Sequence, residues 1–103
     1  MAYTPFVYYG SMSNTVGSQL FRVSAPDSVI VTSITLVNTD TVSRTVELTV
    51  DGYTLLSALP VPAGETMVVD VKIPIIVTSG YKEVDGWASA SPAITYFISG
   101  VSL

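Results

Sequence analysis

Carboxylates are the side chains of this 103-residue sequence with the clearest potential for acid–base chemistry. The sequence contains no histidine and no cysteine, which removes the commonest general base, the thiolate nucleophile and the usual ligands of a structural zinc site. It also lacks the glycine-rich motifs that cradle nucleotide phosphates. Two acids stand out, because Glu83 and Asp85 are two residues apart in "KEVDGWASA" and would share one face of a strand.

Chemistry at Glu83 and Asp85 would require a setting that the sequence does not provide. A glycosidase needs two carboxyl groups across a cleft, one of them in an apolar pocket. These two lie in a polar segment, where their charges would keep an edge strand from pairing further. A calcium site from Asp27, Asp40 or this pair would need about six oxygen ligands, which no local loop supplies. We therefore expect a protein that is not an enzyme, with no metal and no cofactor.

Aromatic side chains offer binding rather than catalysis. Six of them form two clusters, one at the N-terminus and one nearer the C-terminus: Tyr3, Phe6, Tyr8, Tyr9, Tyr81 and Trp87. One or two aromatics are expected in a small core, but six exceed that, and aromatics commonly anchor protein interfaces. A platform for sugar rings is a third possibility, although the chain has few of the amides that such a site uses. We predict that all six are protein-interface residues.

The elements that position these residues are strands, because the dominant hydrophobic period is two. In "RTVELTV", Val46, Leu48 and Val50 alternate with polar residues, and a turn signal, Asp51-Gly52, follows. The stretch "SVIVTSITLV" is apolar on both faces, which indicates a central strand packed on both sides. No segment shows a capped helical stripe. We predict an all-β fold: a single jelly-roll-like β-sandwich of about seven to nine short antiparallel strands with almost no helix.

Two segments interrupt this pattern. "GSMSNTVGSQ" separates the aromatic "YTPFVYY" from the rest of the chain. We therefore predict an N-terminal aromatic strip and flexible segment over residues 1–19, and a β-sandwich domain over residues 20–103. The strip is either an edge strand or an arm that docks on a neighbouring subunit. Pro74 would interrupt a central ladder, so its strand should bend or end there.

Composition limits the partners. The chain is 49% hydrophobic but only 12% charged, about half the usual charged share, and an apolar surplus on the surface indicates assembly. A net charge of −4 with four basic residues leaves no basic stripe, so we expect neither nucleic acid nor an anionic membrane as a partner. The N-terminus has no basic residue and contains Pro5, unlike a signal peptide, and the apolar runs are too short to span a bilayer.

The second half of the chain, "LSALPVPAGETMVVDVKIPIIVTSGYKEVDGWASASPAITYFISGVSL", has a "PAGET" turn between apolar strands and a closing pair ending in "SG". In these features it resembles small virion proteins of tailed bacteriophages. The upstream "FRVSAPDSVIVTSITLVNTD" is similar to the other shared half, with Pro26-Asp27 where glycine is common. Together these stretches cover most of the chain from about residue 20 onward, and they are turn and packing motifs.

This resemblance implies a compact β-sandwich with a structural role in a virion. The leading expectation is a capsid decoration or cement protein that stabilises the particle through apolar contacts with the major capsid protein or other virion subunits. We expect a homo-oligomer, taken as a trimer, made in the host cytoplasm and located in the virion. The alternative is a tail, neck or fibre component that acts as a receptor- or glycan-binding β-sandwich module.

Overall fold

Eight strands account for most of the fold in a computed structural model, which describes residues 3–103. The strands are β1 (Thr4–Ser11), β2 (Gln19–Ser24), β3 (Ser28–Asn38), β4 (Arg44–Val50), β5 (Tyr53–Val61), β6 (Thr66–Ile76), β7 (Tyr81–Ala88) and β8 (Ile94–Ser102). Within residues 3–103 no segment is helical. None of the described chain therefore forms a helix long and apolar enough to cross a membrane.

The strands form two four-stranded sheets. The first sheet has the order β1-β8-β3-β6 and the second the order β2-β7-β4-β5. All strand pairs are antiparallel, and most neighbours in a sheet are distant in sequence. Eight antiparallel strands in two sheets with these strand orders form a jelly roll. The predicted fold class is confirmed.

Alternating burial along the strands produces one core between the sheets. On β4, Val46 and Leu48 are fully buried, whereas Glu47 between them is not. On β8, Ile94 and Ile98 are buried and Phe97 is exposed. The alternation gives each sheet an inner face that packs against the other sheet and an outer face that does not. The core contains Met12, Phe21, Val23, Val29, Val31, Ile34, Leu36, Val46, Leu48, Val61, Ile75, Val77, Val84, Ala88, Ala93, Ile94, Tyr96 and Ile98.

Strand β3 is central in its sheet, but only one of its faces packs against the core. Its pairing with β8 shifts register between Val31 and Ser33, so that Thr32 is an extra residue. Burial changes phase at this bulge, from Val29 and Val31 before it to Ile34 after it. The prediction of a strand packed on both sides is therefore wrong, because the outer-face residues of β3 remain partly exposed.

Prolines within strands lie at sheet edges. Pro5, Pro60 and Pro74 belong to β1, β5 and β6, and each of these strands has a neighbour on one side only. An edge strand tolerates proline because one set of its N–H groups has no partner to lose. For this reason β6 continues through Pro74 to Ile76. We expected the strand to bend or end at this proline, and it does not end there.

The N-terminal segment contributes an edge strand to the sandwich. Pairing of β1 with β8 runs without a register shift from Thr4 opposite Ser102 to Ser11 opposite Thr95. The buried Met12 follows directly. Residues 12–18 separate β1 from the other strands in sequence, while β1 itself belongs to the first sheet. Of the two predicted forms of the aromatic strip, edge strand or docking arm, residues 4–11 adopt the edge strand. Met1 and Ala2 lie outside the described residues.

Candidate interaction surfaces

The N-terminal aromatics divide between the two faces of β1. Tyr8 points inward and stacks on Phe21 of β2, with ring centroids 4.4 Å apart and planes 3° from parallel. Phe6 also packs against the core, and its ring lies 5.5 Å from that of Tyr8. Because β1 and β2 belong to different sheets, these rings close the sandwich at one side. Their first role is packing within the chain.

Tyr3 and Tyr9 are the most exposed of the N-terminal aromatics, and Tyr8 keeps 43% of its surface exposed although one face of its ring stacks on Phe21. Tyr3 is 62% exposed and Tyr9 is 69% exposed. Tyr9 lies beside Phe97 of β8, its register partner, with the two ring centroids 6.0 Å apart. The pair lies on the outer face of the first sheet, opposite the core.

The outer face of the first sheet carries apolar side chains on all four strands, with Ser and Thr residues between them. A transverse row of side chains crosses all four strands in register: Tyr9, Phe97, Thr35 and Val68. Further apolar residues occupy the same face at other levels: Val7, Val101, Ile30, Val37, Pro74 and Ile76. Charge is confined to Asp70 and Lys72, the one acid and one base in the four strands. This face therefore has no net charge.

The outer face of the second sheet is charged and carries the other two predicted interface residues. Tyr81 lies at the start of β7 and is exposed, with the Arg22 guanidinium 5.0 Å from its ring centroid. Trp87 is half-buried and pairs in register with Glu47 of β4. The six predicted aromatics are thus not one surface, since they are divided among the core margin and two opposite outer faces.

Glu83 and Asp85 lie on β7, between β2 and β4. The interpretation that they guard an edge strand is therefore wrong, because β7 is paired on both sides. Burial raises the pKa of Asp85, and the nearby Glu83 carboxyl raises it further. The Asp85 Oδ1 atom is buried and has no hydrogen-bond partner among the described residues. A carboxylate with one buried and unpartnered oxygen costs stability when ionised.

The acids considered as calcium ligands are not gathered in one place. Within residues 3–103 no group of three or more acidic side chains is placed to hold a metal ion. Asp40 accepts hydrogen bonds from Arg44 Nε and Nη2, at 2.9 and 2.7 Å. These bonds, with one from the Thr41 N–H, hold the pKa of Asp40 below its ordinary value. Asp40 therefore has a local structural partner in the loop after β3.

Asn38 is a structural residue that the sequence does not single out. Its side chain is fully buried, and its Nδ2 donates to the carbonyl oxygens of Val42 and Val61, each at 2.9 Å. Its Oδ1 accepts from the Asp40 N–H at 2.8 Å. These bonds join the end of β3 to the following loop and to the end of β5. An asparagine before Thr and Asp is a turn signal, but its long-range partner requires the fold.

The likeness to known proteins is structural. No family model and no curated protein sequence matches the chain. A chain of the T13 IBDV viral particle aligns over 98% of this chain with a TM-score of 0.59 and 14% identity. A chain of infectious bursal disease virus Gx strain aligns over 96% with a TM-score of 0.54 and 13% identity. Dimeric latent PorU from Porphyromonas gingivalis aligns over 97% with a TM-score of 0.51 and 12% identity.

This chain is much shorter than those it resembles. The aligned region covers 31% of the T13 particle chain, 33% of the Gx strain chain and 12% of the PorU chain. At these identities the likeness shows the fold alone. Virus-particle chains and PorU share it, so the fold itself does not specify one role.

Proposed function

We propose that this chain is a non-enzymatic structural protein of a virus particle, and that it binds other particle subunits through the outer face of its first sheet. The observation that carries this proposal is the apolar row from Tyr9 to Val68 on a face without net charge. Exposed apolar surface of this extent is typical of a protein–protein contact. The jelly-roll likeness to chains of a virus particle supports the same role.

The charge distribution favours contact through this face. The chain carries a net charge of −4, but Asp70 and Lys72 balance each other in the four strands of the first sheet. The strands of the second sheet hold three acids and three bases, and the four acids in excess, Asp27, Asp40, Asp51 and Glu65, lie between strands. A neighbouring subunit that covers the first sheet therefore removes one acid and one base from water, whereas covering the second sheet would remove three of each, at a larger desolvation cost.

Apolar burial supplies the binding energy. Each Å² of apolar surface removed from water contributes about 25 cal/mol, less the cost of association. A single small contact is therefore weak, but many symmetric copies on one particle add avidity. A small protein that stabilises a shell by covering it needs no active site, which agrees with a chain whose distinctive features are turns and packed strands.

The specific role that we propose is a capsid decoration or cement protein of a tailed bacteriophage, bound to the major capsid protein. The "PAGET" resemblance supports it. In the structure those residues form the turn between β5 and β6, in which the Glu65 N–H donates to the Pro62 carbonyl at 3.1 Å and Gly64 has a φ of 70°. This turn positions β6, and hence Val68, at the edge of the outer face.

A lysine on each outer face tests the proposal. Val68→Lys places a charge in the apolar row of the first sheet, and Thr45→Lys places one at an exposed position of β4 in the second sheet. Particles grown with each variant are purified and the bound chain is quantified. We expect Val68→Lys to be lost from particles and Thr45→Lys to be retained. Equal retention of both folded variants would contradict binding through the first sheet.

A second candidate role is a receptor- or glycan-binding module on a tail, neck or fibre. The observation that favours it is Trp87 beside Glu47 on the outer face of the second sheet, because sugar sites combine an aromatic platform with polar groups. Trp87 is the one tryptophan of the chain, so its fluorescence reports on this site directly. A shift on addition of host polysaccharide, abolished in Glu47→Ala, would support the second role, and an unchanged spectrum would contradict it.

A further inference from the structure

The free edge of β1 is the unassigned feature that the structure defines most closely. An edge strand presents unpaired N–H and C=O groups to solvent, and proteins usually blunt such edges with bulges, prolines or charged side chains. Within residues 3–103 the two sheets have four edge strands: β1 and β6 in the first, and β2 and β5 in the second. Their protection differs.

Three of the four edges are blunted. Strand β2 loses register with β7 after Gln19, and β5 loses register with β4 at two places and contains Pro60. Strand β6 carries Lys72 and Pro74, and its pairing with β3 also shifts. Each device hinders the addition of another strand.

Strand β1 differs from the other three. Its eight residues, "TPFVYYGS", include no charged side chain. Its register with β8 is unbroken from end to end. Apart from Pro5 near its start, β1 has none of the features that block strand addition, and it is rich in the aromatic and β-branched residues that favour pairing.

The hydrogen-bond phase identifies which groups of β1 are free. The Met12 N–H donates to the Ile94 carbonyl at 2.8 Å, and bonded pairs in an antiparallel ladder recur at every second residue. Residues 4, 6, 8 and 10 therefore bond to β8, whereas Val7, Tyr9 and Ser11 direct their N–H groups to the open edge. The bond from the Thr39 N–H to the Ala93 carbonyl gives an independent check. It shows that the odd-numbered residues of β8 bond to β3, so the even-numbered residues of β8 bond to β1.

Pro5 belongs to the set that faces the open edge. Its missing N–H therefore leaves the ladder with β8 intact, which agrees with the continuous register from Thr4 onward. The carbonyls of Pro5, Val7 and Tyr9 face the same way. The open edge is thus a regular row of acceptors with donors at Val7, Tyr9 and Ser11.

We propose that a second copy of this chain adds its own β1 to this edge, antiparallel and related by a two-fold axis, so that the two first sheets become one continuous sheet. The register that uses the most free groups is centred on Tyr8. It places Val7 of each copy opposite Tyr9 of the other, where the two residues exchange both backbone hydrogen bonds. The Ser11 N–H then donates to the carbonyl of Pro5 in the other copy. This pair forms one bond instead of two, because proline has no N–H to donate in return.

Side chains agree with this register. Residues directly opposite each other share a face, so Val7 meets Tyr9 on the outer face, and an aromatic beside a β-branched residue is a favourable cross-strand pair. An isologous contact requires a self-complementary surface, and β1 has no charge that would repel its own copy. The pairing also joins the outer faces of two copies, and it does not depend on the proposed role in a virus particle.

Two substitutions at Val7 distinguish strand addition from packing of the outer face. Val7→Pro keeps an apolar side chain but removes the N–H that faces the open edge, leaving the ladder with β8 in place. Val7→Thr keeps the N–H and the shape but makes the side chain polar. Sedimentation over a range of concentrations measures the dimer dissociation constant of the full chain. We expect Val7→Pro to raise it by about tenfold or more, since symmetry removes two bonds, and Val7→Thr to change it little.

Amide hydrogen exchange gives an independent measurement on the unmodified chain. In the dimer the Val7 and Tyr9 amides should be protected, and dilution to monomer should release them. The Tyr8 amide bonds to β8 and should stay protected throughout. A chain that is monomeric at all concentrations, a trimer, fast exchange at Val7 and Tyr9 in the dimer, or a larger effect of Val7→Thr than of Val7→Pro would each overturn the proposal.

Discussion

The rings of Tyr8 and Phe21 stack face to face across the two sheets, with centroids 4.4 Å apart. The next residue, Tyr9, points the other way and lies beside Phe97 on the outer face. Two consecutive tyrosines therefore have different roles, since one closes the side of the core and the other forms part of an exposed apolar row. Strand alternation alone separates them.

This difference gives a stability prediction for the two tyrosines. Tyr8→Ala removes the ring that covers Phe21 and should lower the free energy of unfolding by about 2 kcal/mol. Tyr9→Ala removes an exposed ring and should lower it by less than about 1 kcal/mol. Urea denaturation at one protein concentration compares the two. Equal losses would show that β1 does not hold Tyr8 against the core.

Removal of the Asn38 side chain should be among the most damaging polar substitutions. Asn38→Ala leaves the carbonyls of Val42 and Val61 and the N–H of Asp40 without their partner. We expect a loss of about 3 kcal/mol, because the Val61 carbonyl is buried and the other two groups are partly buried, so that water replaces the lost bonds incompletely. Asn14→Ala, at an exposed loop position, is the control and should change the unfolding midpoint little. A small effect at Asn38 would indicate that water replaces its bonds.

Gly100 should accept no larger residue. A Cβ atom at this position would collide with the carbonyl oxygen of Ile30 in the neighbouring strand. Backbone cannot move aside as a side chain can, so we expect Gly100→Ala to cost about 3 kcal/mol or more. Gly10→Ala is the matched control in β1, where the nearest atom is the Tyr96 hydroxyl oxygen at 3.3 Å. Thermal unfolding of the two variants should differ clearly, and similar midpoints would contradict the close approach of β8 to β3.

Asp85 should make stability depend on pH in the opposite sense to a paired carboxylate. Its pKa is raised by burial and by Glu83, so the folded chain binds this proton more readily than the unfolded chain. The resulting stabilisation is complete below the ordinary pKa of 3.8 and is lost as the pH rises through the raised value.

Asp85→Asn should therefore stabilise the protein at neutral pH, by up to about 1 kcal/mol for a partly exposed group. The gain should shrink towards pH 3, where Asp85 itself is protonated. Thermal unfolding at both pH values measures the difference. Asp27→Asn removes the same charge from an exposed turn and serves as control. A gain that persists unchanged at low pH would assign the effect to something other than ionisation of Asp85.

The sandwich was predictable from the sequence because the period-two pattern is local. Val46, Leu48 and the alternation around them identify a strand without knowledge of its neighbours. Strand order is not local, since it depends on pairings between distant segments. For this reason the pattern could not show that β6 is an edge strand, where Pro74 is acceptable. Nor could it show that β7 is a central strand, where Glu83 cannot protect an edge.

The outer face of the first sheet was only partly foreseeable. Tyr9 stood out within an aromatic cluster, but Phe97 and Val68 come from strands far apart in sequence and meet only through the register of the sheet. One local signal did exist. The stretch over residues 28–37 is apolar on both faces, which the structure explains by a core face and a half-exposed outer face rather than by packing on both sides.

Counting this chain in purified particles tests a structural role in a virus particle most directly. Quantitative mass spectrometry would compare its copy number with that of the major capsid protein. We expect copy numbers that are about equal, as for a protein that covers the shell. Absence of the chain from particles that are otherwise complete would contradict it.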